Sequence, residues 1–239
     1  METSLPTVAV VIPTLNEEAV LPATLAAACT QIEAGVRVLI ADGGSTDGTL
    51  AAARGFDAQT IETSRVGRGC QIAAVVRGLH DDVVLVLHAD MILPSRSIDQ
   101  MRRWLVEHPA CPGGCLGHRF DSPRVMYRLV EWWDSSRARL GVSFGDQGQF
   151  YRRAWLERLG GFPDQPIMED LELSRRLRSL GRPAYLDCPV VVSPRRLERI
   201  GWCRTVLGNF ALRCHYRLRG PAVSQELYQR YYHQKEELL

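Results

Sequence analysis

The chain has 239 residues, of which 46% are hydrophobic and 23% charged, with a formal net charge of +2. This length supports one large α/β domain or two small ones, and the composition is that of an ordinary globular protein. So small a net charge argues against a nucleic-acid partner, which calls for a strongly basic surface. Lys235 is the only lysine among 29 basic residues, so any bound phosphate must be held by arginine, backbone N–H groups or a metal. The seven cysteines are odd in number and scattered, and Cys111 and Cys115 have the wrong spacing for a CxxC site. They read as reduced thiols, which implies a cytoplasmic protein. Residues 1–7 are short and polar and run directly into a strand pattern, which predicts no signal peptide. No apolar run approaches the ~20 residues of a membrane span.

Residues 7–13 (TVAVVIP) form a β-branched run that predicts a strand buried on both faces of a parallel sheet. Residues 17–33 read as a helix, with Pro22 tolerated only if the helix starts late. A second buried strand is expected over 36–41 (VRVLIA), followed by the turn-rich loop DGGSTDG at 42–48 and a short helix at 49–54. A helix over 69–79 precedes a third strand at 83–87 (VVLVL), which ends in His88-Ala89-Asp90, and 95–107 is the next helix. Such alternation predicts a mostly parallel sheet with helices on both faces, and ligands in such sheets bind at the carboxyl ends of the strands. Polar clusters stand at all three ends: 14–17, 42–47 and 88–90.

The second half is less regular. Strands are expected at 115–120 and 147–152, flanking a helix over 125–140. Trp132, Trp133 and Tyr127 recur on that helix at a spacing that reads as core rather than as a sugar platform. A helix over 170–180 closes at Gly181 and Pro183, a strand falls within 185–192, and 197–219 is an arginine-rich amphipathic helical region. The tail from 225 to 239 is polar and helical in pattern.

A dinucleotide-binding unit needs GxGxxG after the first strand, and a P-loop needs GxxxxGK[ST]; neither is present. The strings Val11-Ile-Pro-Thr-Leu-Asn-Glu17, Asp42-Gly-Gly-Ser-Thr-Asp-Gly-Thr49, the acid at Asp90 and Met168-Glu-Asp170 instead resemble the family-2 glycosyltransferases of the GT-A fold. Gly145-Asp-Gln-Gly148 and Gly160-Gly-Phe-Pro163 are similar to strings of its small bacterial branch without membrane helices. The resemblance runs to about residue 195. It implies a GT-A domain over 1–195, with a nucleotide-binding half to about 110 and an acceptor half to 195, followed by a helical extension over 196–239.

The same resemblance implies an inverting transfer of a sugar from a nucleotide-diphosphate donor, with UDP the default base, to an acceptor hydroxyl. Asp42 would bind the base, with Pro13, Thr14 and Glu17 as the other wall and Gly44 also among the nucleotide-sugar-binding residues; the alternative is that Asp42 caps its own turn, as Asp47 does the next helix. Asp90 would hold Mn²⁺ or Mg²⁺ on the diphosphate. The family shows Asp-x-Asp here and this chain has His88 in the first position, as a second candidate ligand or a packed strand-end imidazole. Arg68, at a helix start, either holds phosphate or belongs to a solvated loop.

Asp170 would be the catalytic base and Glu169 would position the acceptor or orient Asp170. A purely structural reading also exists, because acids at a helix start suit its dipole. Asp146 and Gln147 would hydrogen-bond sugar or acceptor hydroxyls, and Arg195 and Arg196 could clamp the diphosphate. On the helix at 204–219, Val206, Leu207, Phe210, Ala211, Cys214 and Leu218 share one face flanked by Arg204, Arg213, Arg217 and Arg219. It either packs on the domain or is a peripheral membrane contact serving a lipid-linked acceptor. A nucleotide-sugar-binding protein without transferase activity is the rival reading. A sugar nucleotidyltransferase would need a basic phosphate loop where residues 14–17 stand.

Overall fold

A computed structural model describes residues 4–63 and 65–236, without the side chains of 196, 199–200, 202–204, 206 and 231–236. The strands are β1 (Val8–Thr14), β2 (Val36–Asp42), β3 (Gln59–Glu62), β4 (Val83–Val86), β5 (Met91–Ile92), β6 (Gly113–Cys115), β7 (His118–Phe120), β8 (Gln149–Arg152), β9 (Ala184–Tyr185) and β10 (Val190–Val192). The helices are α1 (Leu21–Cys29), α2 (Thr49–Ala53), α3 (Arg68–Val76), α4 (Ser97–Glu107), α5 (Val125–Arg139), α6 (Arg153–Arg158), α7 (Glu169–Leu180), α8 (Arg195–Ile200), α9 (Trp202–Arg219) and α10 (Ser224–Glu236).

Seven strands form one sheet in the order β3-β2-β1-β4-β8-β6-β9, and β5-β10-β7 form a small second sheet. All neighbours in the large sheet are parallel except those of β8, which runs antiparallel to both β4 and β6. All seven residues of β1 are buried, as its β-branched run predicts. Its side chains alternate between two apolar layers, with Val8, Val10 and Ile12 in one and Ala9 and Val11 in the other. The antiparallel entry of β8 positions the site: Gln149 at its start pairs with Val86 at the end of β4. The turn before β8 therefore lies at the carboxyl edge, beside the β1, β2 and β4 ends.

Several expectations need correction. The first helix spans only Leu21–Cys29, with Pro22 in its first turn, because hydrogen bonds tie the backbone of Asn16 and Glu18 to the loop after β2 and that of Glu17 to Thr49 at the start of α2. The expected strand over 115–120 breaks at Gly117 (φ 89°) into β6 and β7, which join different sheets. Residues 185–192 likewise divide between β9 and β10. The helical region over 197–219 is two helices, parted at Gly201 (φ 89°). Of the aromatic group on α5 only Tyr127 is core; Trp132 and Trp133 are 66% and 68% exposed.

The carboxyl-terminal helices pack on the body through Tyr216, Val223 and Leu227, which are buried against Leu171 of α7. Tyr216 also accepts from and donates to the Gln165 amide. Among the described residues no helix is long and apolar enough to cross a membrane.

Candidate active site

The loops after β1 and β2 are built as one unit. The Thr14 hydroxyl donates to Asp42 Oδ1 at 3.0 Å, and the Ser45 hydroxyl to the same oxygen at 2.5 Å. The N–H groups of Gly44 and Ser45 donate to Asp42 Oδ2 at 2.9 and 2.8 Å. With four donors and no exposed surface, the Asp42 carboxylate is the internal anchor of this loop rather than an open ligand for a base. Pro13 and Thr14 are buried with it, whereas Glu17 is half-buried and Gly44 is exposed. At Gly44 (φ 94°) a Cβ would meet nothing within 4 Å, so the backbone there faces open space. Asp47 accepts from the Thr49 N–H and hydroxyl and from the Glu18 N–H, the turn-holding role expected of it.

Gln71 is a residue that sequence reasoning passed over. Its amide donates to the Thr14 carbonyl at 2.9 Å and fills the space where a Cβ on Gly43 would lie, 1.9 Å away. One polar residue inside an otherwise apolar helix start (GCQIAAVV) was the available signal.

Across the carboxyl edge, the turn Gly145–Gln147 brings the two halves together. A Cβ on Gly145 would stand 2.7 Å from His88 Nε2 and 3.3 Å from Asp170 Oδ2. The strand-end histidine and the acid of α7 thus meet over one glycine. The Gly145 N–H donates to Asp170 Oδ2 at 2.7 Å, and the Leu171 N–H to Oδ1 at 2.7 Å. Asp146 follows directly. Gln147 is fully buried; its Oε1 accepts from the Phe144 N–H at 3.0 Å and closes the turn, while its Nε2 has no hydrogen-bond partner among the described residues.

α7 begins after Met168, a non-glycine residue in the left-handed region (φ 64°). Its first turn carries Glu169, Asp170 and Glu172, which complements the helix dipole. Glu169 is 2% exposed and paired with the Arg68 guanidinium, which also lies 3.6 Å from Asp170 Oδ2. Arg68 thus serves the acid pair. The close approach of α3 to α7 permits this, since a Cβ on Gly69 would sit 2.7 Å from that of Glu169. Burial pushes the Glu169 carboxyl above the usual range, and Arg68 opposes the shift.

Arg68→Met should raise the Glu169 pKa further. A group with a raised folded-state pKa is not penalised below its unfolded value and loses stability as pH rises toward the folded one. The variant's melting-temperature deficit should therefore be small near pH 4 and larger at pH 7, because an unfolded glutamate titrates at about 4.3. A deficit independent of pH would refute this coupling.

Asp90 is exposed beyond the end of β4. Among the described residues no three His, Cys, Asp or Glu side chains form a metal cage. One exposed carboxylate, with His88 two residues before it, fits a cation whose other ligands come from a diphosphate and water. Arg195 is exposed and donates to Ser193 Oγ at 3.1 Å, away from any contact with this cluster that the structure records; the Arg196 side chain lies outside the described residues.

Residues 9–159 match the family described as glycosyl transferase family 2. The chain belongs to that family. It is 43% identical over 83 residues to an uncharacterized glycosyltransferase of Mycobacterium tuberculosis, covering 35% of this chain and 36% of that protein. It is 35% identical over 168 residues to the undecaprenyl-phosphate 4-deoxy-4-formamido-L-arabinose transferase of Aeromonas hydrophila, covering 63% of this chain and 50% of that protein. The chain therefore spans between a third and a half of the length of these curated relatives. The fold is similar to that of a mannosyltransferase from Pyrobaculum calidifontis solved with GDP-mannose and Mn²⁺, at TM-score 0.70 and 22% identity, covering 96% of this chain and 70% of that one. The α/β architecture is thus that of the GT-A glycosyltransferases.

Proposed function

We propose that this family-2 chain is an inverting glycosyltransferase that moves a sugar from a nucleoside-diphosphate donor, UDP-linked by default, to an acceptor hydroxyl. The observation that carries the reading is the meeting of His88 and Asp170 at Gly145, which sets the donor half against the acid pair. Asp170 takes the proton of the acceptor hydroxyl as its oxygen attacks the anomeric carbon. The bond from that carbon to the phosphate oxygen breaks, and its electron pair leaves on the nucleoside diphosphate. Single displacement inverts the centre. Glu169, held by Arg68, fixes the start of α7 and so the aim of Asp170. The exposed backbone at Gly44 and the side chain of Glu17 form the wall for the base, on the scaffold of Pro13, Thr14 and Asp42. Asp146 faces the acceptor side, with Gln147 shaping its turn.

A divalent cation, Mn²⁺ or Mg²⁺, bound by Asp90 with His88 as second candidate, would supply Lewis-acid stabilisation of the diphosphate. The Aeromonas relative's name gives a polyprenyl-phosphate acceptor. By that likeness the acceptor here is lipid-linked, reached from the cytoplasm with the helix over 204–219 against the membrane. Arg204 and Val206 of that face lie outside the described side chains, while Leu207, Phe210 and Leu218 are exposed.

A panel of nucleotide sugars tests the function, scored by thermal shift and by donor hydrolysis with and without Mn²⁺. A stabilising donor raises the melting temperature by mass action. The transferase reading expects one donor to stabilise and to be slowly hydrolysed only with metal. Stabilisation with no hydrolysis under any condition would instead mark a nucleotide-sugar-binding protein.

A further inference from the structure

α5 presents a face that the catalytic reading leaves unused. Val125, Leu129, Trp132 and Trp133, with Leu140 at the helix end, are 74%, 65%, 66%, 68% and 70% exposed, and Met126 is 37% exposed. At 3.6 residues per turn these six side chains fall within an arc of roughly 120°. The only other residue of α5 in that arc is Ser136, so the face carries no charge. The acids of this helix are turned inward and paired: Glu131 with Arg128, and Asp134 with Arg137. Two adjacent tryptophans in water are an unusual surface, and an amphipathic ring with an indole N–H suits the boundary between apolar chains and headgroups.

α9 carries a second such face. Leu207, Phe210 and Leu218 are 67%, 61% and 87% exposed. The sequence of α9 (WCRTVLGNFALRCHYRLR) contains arginines and no acid. The two helices meet at Phe144, whose ring takes the Arg137 guanidinium from α5 at 3.5 Å and that of Arg213 from α9 at 4.9 Å. Charge selects the occupant. A second copy docked on the same patch would bring one set of α9 arginines against another, and α9 itself carries no acid to answer them. An anionic leaflet meets both the apolar arc and the arginines.

We propose that α5 and α9 together form a bilayer-docking face, in which Leu129, Trp132 and Trp133 enter the headgroup–acyl boundary of an anionic membrane. This goes beyond a contact through α9 alone. It rests on the transferase reading only for the identity of the acceptor. α5 runs through residues 140–144 into the turn at Gly145, whose N–H holds Asp170. Docking would thus set the acceptor side of the site next to the lipid.

The test is flotation of the full chain with phosphatidylcholine vesicles, with and without phosphatidylglycerol, at low and high salt. The Trp132→Ser/Trp133→Ser double variant and the Leu207→Ser/Phe210→Ser double variant are measured beside the parent. All four side chains are exposed, so both variants should melt as the parent does, and donor hydrolysis without acceptor should be unchanged. The expected result is binding that needs phosphatidylglycerol, weakens with salt, and falls on the order of 100-fold in the tryptophan variant. No flotation with phosphatidylglycerol at low salt overturns the proposal, as does flotation that the tryptophan variant leaves unchanged. A concentration-dependent dimer broken by the same variant also overturns it and gives the face to a second copy. If the parent floats as expected but hydrolyses no donor, the docking face stands and the transferase reading falls.

Discussion

Asp170→Asn should lower kcat by on the order of 10²–10⁴ while leaving donor affinity nearly intact, which is the usual worth of a positioned general base. The change is close to isosteric and removes the proton acceptor. Asp170 is held from both sides, with the Gly145 N–H on Oδ2 and the Leu171 N–H on Oδ1. An asparagine keeps only one of those acceptors, so a local cost of about 1 kcal/mol in stability accompanies the change. That cost is small beside the kinetic loss, and a melting curve measures it separately. Single-turnover kinetics with saturating donor, together with nucleotide titration by thermal shift, separates chemistry from binding. Glu169→Gln is the informative contrast. Glu169 is buried on Arg68 rather than open to an acceptor, so its loss should appear first as reduced stability. If Asp170→Asn instead abolishes nucleotide binding with kcat preserved, Asp170 belongs to the phosphate site and the assignment fails.

The strands β1, β2 and β4 were legible because burial on both faces leaves a continuous β-branched run, as in β1. The loops at their ends were legible as motifs, but the direction of their side chains was not. Asp42 illustrates this: the string around it matches a ligand position, yet its oxygens accept from Thr14, Gly44 and Ser45. A turn-forming aspartate and a ligand aspartate share the same neighbours in sequence, and only the hydrogen-bond partners tell them apart. β3 (QTIE) was missed because it is a polar edge strand with no apolar alternation. Arg68 was read as a phosphate holder or a loop arginine because its partner lies 101 residues away. The tryptophans of α5 were read as core because their spacing reports a shared face, and spacing alone does not say whether that face meets protein or solvent. The place of Glu169 and Asp170 was legible for the opposite reason: they stand in a local string that also starts a helix, so motif and element agree.

Asp90→Ala should abolish metal-dependent turnover, and excess EDTA should do the same to the parent. The physical reason is that the arginines of this edge nearest the donor loops, among the described residues, already face carboxylates. The only lysine is Lys235, and the nearest arginines of the donor half already face carboxylates, Arg65 on Asp164 and Arg68 on Glu169. A diphosphate leaving group develops negative charge, and in the proposed reaction a bound cation would stabilise it. Asp90 is the exposed acid at the end of β4 in a position to hold one. Loss of that stabilisation at about 4 kcal/mol corresponds to a fall on the order of 10³ in kcat. The nucleoside should still bind, more weakly, through the loops after β1 and β2, because their geometry is fixed by Asp42 and Gln71 and does not involve Asp90. His88→Ala refines the assignment. An imidazole suits Mn²⁺ better than Mg²⁺, so its removal should narrow the difference in activity between the two ions if it is a ligand. It should leave that difference unchanged if it only packs against Gly145. Full parental activity in EDTA, or an Asp90→Ala variant that turns over at the parental rate with added Mn²⁺, would remove the metal from this site and leave its arginines to be re-paired by the donor.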